Sequence, residues 1–72
     1  MTSFQVEVSG TWEDQRMRTE QSETQVFLVA ANGPMAAQVA ATQLFGGEAA
    51  RRRFRALPHR TARVIEPEAE PV

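Results

Sequence analysis

Residues 4–12 alternate in polarity. Phe4, Val6, Val8 and Trp12 fall on one side, and Gln5, Glu7, Ser9 and Thr11 on the other. Successive side chains of a strand point to opposite faces, so a period of two reads as a half-buried strand with one wet face. A chain built on such a strand must form a sheet and cover one side of it. Gly10 interrupts the apolar side and marks a bulge or a point of close approach.

The next apolar segment, VFLVAA at residues 26–31, has no wet side. Its pattern suits a strand covered on both faces, or a central strand. Residues 13–25 between the two are polar and hold neither Gly nor Pro. They lack a two-residue turn signal and read as a long hairpin connection, partly extended and partly mobile. Met17, its one large apolar residue, is expected to fold back on the core.

Asn32, Gly33 and Pro34 then punctuate the chain. Proline suits the first helical position, where its missing N–H would be unpaired anyway. A helix is expected over residues 34–45, ended by Gly46 and Gly47. Ala36, Ala37, Ala40, Ala41 and Leu44 share its broad inner face, and small side chains let a helix lie close on a sheet. Gln38 and Thr42 mark the wet side. Met35 and Val39 flank the Ala face and need cover from the later Arg-rich segment or from a second copy.

Residues 48–57 (EAARRRFRAL) read as a second short helix, with Ala50, Phe54 and Leu57 on one stripe and Pro58 as its stop. They also read as a strand with Phe54 and Ala56 inward and a turn at Pro58, His59 and Arg60. Residues 61–65 form a third strand. Residues 66–72 (EPEAEPV) read as a disordered acidic tail. The expected fold is therefore one small α+β domain over residues 1–65 in the order β-β-α-(α)-β. A three-stranded, mainly antiparallel sheet would carry the Ala-rich helix. The third strand would lie beside the first, antiparallel, or beside the second, parallel. A sheet this small keeps exposed edges, which invites edge-to-edge dimerisation.

Composition limits the chemistry. The 72 residues include no Cys, no Lys, no Tyr and one His. A disulfide framework or a Cys-based zinc site is excluded. His59 alone, beside an unactivated Thr61, is a poor basis for catalysis or metal binding. Glu7, Glu13 and Asp14 read as solvated acids rather than a cation site. The turn at Asn32 and Gly33 lacks the glycine spacing and Lys of a phosphate loop. No metal, no cofactor and no small-molecule substrate is expected. No apolar run would span a bilayer, and no secretory signal pattern opens the chain. A soluble cytoplasmic protein without membrane partners is expected. A core this small, in which many of the apolar residues are Ala, leaves a thin stability margin and favours a bound partner or self-association.

Charge is segregated. Residues 49–65 hold six Arg and no acid, whereas the formal charge of the whole chain is only −1. Arg51, Arg52, Arg53, Arg55, Arg60 and Arg63 are the candidate contacts for a protein partner or for nucleic-acid phosphates. Opposing this, the overall acidic balance is unlike a dedicated nucleic-acid module. The Glu-rich tail is also placed to mask the block. Trp12, Met35 and Val39 are the candidate apolar interface residues.

FQVEVSGTW, VFLVAA and NGPMAAQVAATQLF together resemble the short, uncharacterised β-β-α-β proteins of high-GC actinobacteria and their phages. The all-Arg, Ala-rich usage points the same way. The resemblance covers residues 4–45 by pattern and implies an accessory protein or a minor component of a phage assembly, with no catalytic residue to transfer. The expected function is a non-enzymatic protein-interaction module that self-associates or joins a larger assembly. The alternative is a nucleic-acid-binding accessory protein.

Overall fold

A computed structural model describes residues 1–65. Strand β1 (Thr2–Asp14) and strand β2 (Glu20–Ala31) form a hairpin, helix α1 (Pro34–Arg51) follows, and strand β3 (Phe54–Ile65) ends the described chain. The sheet order is β2-β1-β3, and both pairings are antiparallel. The class is α+β, as expected, and the third strand lies beside the first. The tail and its masking role lie outside the described residues.

β1 is the central strand, which explains its alternation. Val6, Val8 and Trp12 are fully buried under α1, while its polar residues face the other side. The hairpin is much tighter than residues 13–25 suggested. Pairing continues to Glu13 and Glu20. The Asp14 carboxylate accepts from the backbone N–H groups of Arg16 and Met17, at 2.8 and 3.2 Å. This Asx-type turn folds the loop on itself without Gly or Pro. Arg18 takes a left-handed φ of 60°. Met17 does not fold back; it is exposed.

α1 runs past Gly46 and Gly47, so the expected stop there is overturned. Its buried residues Ala37, Ala41, Phe45 and Ala49 recur every fourth position. That stripe continues only if the glycines stay helical. Each glycine costs about 1 kcal/mol relative to Ala, offset here by burial of Phe45 and Ala49. Salt bridges from Glu48 to Arg51 (3.4 Å) and Arg52 (3.2 Å) span the same stretch. The buried face is also rotated from the expected one. Ala36 is exposed and Leu44 nearly half so, while Phe45 is fully buried. The reason lies in β1: Gly10 leaves a gap, and a Cβ there would sit 3.1 Å from the Phe45 ring.

The second, Arg-rich helix does not form. Residues 48–51 complete α1, Arg53 turns the chain at a φ of 65°, and Phe54 opens β3. Phe54 packs against Trp12, with ring centroids 5.8 Å apart. This inward contact is available to a strand paired with β1. Pro58 does not end an element. Gly10 pairs with Arg60, and Trp12 with Ala56, so β3 carries extra residues in a bulge there. A bulge on an edge strand tolerates a residue with no N–H to donate.

Gly10 and Gly47 should respond oppositely to the same substitution. Nothing lies within 4 Å of a Cβ placed on Gly47. Gly47→Ala is expected to stabilise by about 0.5–1 kcal/mol. Gly10→Ala would meet Arg60 Cβ at 3.0 Å as well as Phe45. It is expected to destabilise by about 1–3 kcal/mol. Thermal denaturation followed by circular dichroism measures both.

Candidate interaction surface

Among the described residues, the helix covers one face of the sheet and the other face is bare. On β1 and β3 that bare face is polar and internally matched except at Ile65, the half-buried neighbour of Gln5. Glu7 faces Arg63 and Glu13 faces Arg55, each pair closing at 3.1 Å. Ser9 meets Thr24 of β2 at 3.0 Å. Exposed pairs of this kind each contribute about 0.2–1 kcal/mol and fix register.

β2 breaks the pattern. Val26, Leu28 and Ala30 lie on the bare face, opposite Glu7, Gln5 and Ser3. Val26 is 54% exposed and Leu28 71%. The VFLVAA segment is thus neither central nor covered on both faces; it is an edge strand with one helix-covered side. Its apolar excess sits at the margin of the sheet, not in the middle of the bare face.

The backbone of that margin is free as well. Asp14 N–H donates to the Thr19 carbonyl at 2.8 Å, so residues 14 and 19 are a hydrogen-bonded pair. Such pairs alternate along an antiparallel ladder. The odd-numbered residues of β2 therefore bond to β1, and Thr24, Val26, Leu28 and Ala30 turn their N–H and C=O groups outward. No described strand pairs with this edge. β2 is 12 residues long, pairs without a register shift, and contains neither Pro nor a basic residue. β3 forms the opposite edge and carries Pro58, the bulge and three arginines. Proline, bulges and charge are the usual means of blocking an edge. One edge is blocked and the other is open.

The sequence-derived interface residues fare differently. Trp12 is fully buried between Phe45 and Phe54, with the Arg52 guanidinium 5.8 Å above its ring, and so offers no surface to a partner. Met35 and Val39 are 78% and 55% exposed. They lie on the helix side turned away from the buried stripe, so the Arg-rich segment does not cover them. Val26 and Leu28 were missed because an apolar strand was assigned cover on both faces. With a single helix among the described residues, only one face receives it.

The six arginines do not form one patch. Arg55 and Arg63 are paired on the bare face. Arg60 is half-buried beneath α1, donating to the Thr42 carbonyl at 2.9 Å and lying 5.8 Å from the Phe45 ring centroid. Arg51 and Arg52 pair with Glu48, and Arg53 is exposed at the turn. The fold adds two cations from outside residues 49–65. Asp14 pairs with Phe54, so the hairpin turn bearing Arg16 and Arg18 shares one end of the molecule with Arg51, Arg52, Arg53 and Arg55.

An open depression of about 500 Å³ is lined by Thr42, Gln43, Gly46, Pro58 and Arg60. Its one charged group, Arg60, is already engaged with the helix backbone. His59 is exposed in the bulge. Glu7, Glu13 and Asp14 have separate partners. Among the described residues, no group of three or more His, Asp or Glu side chains is placed to hold a metal, and no helix is long and apolar enough to cross a membrane. No family model, curated protein or solved structure matches the chain.

Burial of Trp12 gives a direct optical expectation. As the single Trp, it should emit at short wavelength and resist aqueous quenchers in the folded state. Its emission should not change with protein concentration. A red shift on dilution would place it at an interface instead.

Proposed function

We propose that this chain is a non-enzymatic protein-interaction module that self-associates by adding a strand at the open edge of β2. One observation carries the reading. Val26, Leu28 and Ala30 place apolar side chains and outward backbone groups on the same free edge. Adding a strand there satisfies the hydrogen bonds and removes the side chains from water together. The blocked β3 edge supports the reading, because it leaves one direction for growth. The small core supports it too, since association adds the burial a lone chain lacks. A role as an accessory component of a larger assembly follows naturally.

Sedimentation at tens of micromolar should give twice the chain mass. A double substitution, Val26→Lys with Leu28→Lys, should return the chain to a monomer without loss of helical signal. These residues are exposed in the lone chain, so the substitutions spare its core. A monomeric parent protein at high micromolar concentration would contradict the reading.

A second reading has its own observation. Arg16 and Arg18 join four arginines of the block at one end of the molecule, a placement suited to phosphate contact. Glu13, Asp14 and Glu48 at the same end oppose it. Arg16→Glu with Arg51→Glu should abolish retardation of DNA or RNA at low salt. Absence of retardation by the parent protein would dismiss this reading.

A further inference from the structure

Resting on the self-association reading, we infer that the strand docked on β2 is β2 of a second copy, antiparallel, with the two-fold axis passing through Phe27. The pairing makes a six-stranded sheet in which both helices lie on the same face.

The edges choose the partner strand. A head-to-tail contact of β2 with β3 would meet Pro58 and the bulge, where the ladder is broken. β2 against β2 meets neither obstacle. It is also self-complementary, so it closes at two copies rather than growing into a filament.

The backbone then restricts the register. Outward groups belong to the even-numbered residues, and hydrogen-bonded pairs across the new seam must join outward residues. An axis through Phe27 sets Val26 opposite Leu28 twice, and Thr24 opposite Ala30. All four of the large exposed side chains on the bare face then meet. On the helix side, Phe27 faces Phe27 and Gln25 faces Val29. An axis through Val26 would leave each Leu28 against Thr24. An axis through Leu28 would leave each Val26 against Ala30 and carry pairing toward the helix start.

Charge agrees with the same choice. Glu20 and Glu23 are the charged residues of β2. With the axis at Phe27, Glu23 falls opposite Ala31 and Glu20 lies beyond the paired segment. Sliding the axis toward the middle of residues 20–23 would set the acids against each other, and like charges directly opposed destabilise a ladder.

Cysteine pairing tests the register. The native chain has no Cys, so Val26→Cys and Leu28→Cys each carry one thiol at an exposed position. Directly opposed residues in a hydrogen-bonded pair have Cα atoms about 5.5 Å apart, within disulfide reach. Diagonal neighbours two residues along fall at about 7–8 Å or beyond, outside it. Under mild oxidation, an equimolar mixture of the two variants should link several-fold more than either variant alone. Sedimentation of the reduced variants runs alongside. Doubled mass with Val26→Cys or Leu28→Cys linking best to itself overturns the register and leaves self-association standing. Doubled mass with no linking in any combination overturns the register at Phe27. Monomeric mass for the parent and both variants overturns the self-association reading itself.

Discussion

The Phe45 ring, seated over Gly10 and against Trp12, is the contact from which most of the fold follows. The absent Cβ at Gly10 makes the space, and Trp12 supplies the wall, with ring centroids 5.5 Å apart. Holding Phe45 there fixes the rotation of α1. It requires the helix to continue through two glycines so that Ala49 can complete the stripe. It also draws β3 inward, because Phe54 packs on the other side of Trp12 and Arg60 crosses beneath the helix to the Thr42 carbonyl. Aromatic contacts of this kind contribute about 0.5–1.5 kcal/mol each beyond their buried area. In a core otherwise made of Val and Ala, they concentrate the specificity at one place.

Placing the helix over that contact leaves the far side of the sheet uncovered. Most of the uncovered side is settled internally by the Glu7–Arg63 and Glu13–Arg55 pairs. These pairs also explain why the Arg block looked like a single patch in the sequence and is not one in the fold. Strand alternation sends Arg55 and Arg63 to the bare face and Arg60 to the helix side. What is left unsettled is the outer half of β2, where apolar side chains and unpaired backbone coincide.

Elements with a clear period were legible in the sequence. The alternation at residues 4–12 placed β1, and the Pro34 start placed α1. Two misreadings have physical causes. Gly46 and Gly47 read as a stop because local propensity disfavours them, yet the four-residue recurrence of Ala37, Ala41, Phe45 and Ala49 outweighs it. Residues 48–57 satisfied helix and strand patterns alike, and tertiary contact of Phe54 with Trp12 decided between them. The candidate surface was legible only in outline. An exposed edge was expected, but which edge depends on strand order, and strand order depends on β3 pairing with β1. VFLVAA carried the right signal all along: it asks for cover on two faces, and the described residues supply one.

Self-pairing of β2 is tested most directly by amide hydrogen exchange as a function of protein concentration. The outward amides of Thr24, Val26, Leu28 and Ala30 should exchange fast in dilute protein and become protected as concentration rises. The amide of Phe27, already bonded to β1, should be protected throughout. Fast exchange of the outward amides at every concentration would contradict pairing at this edge.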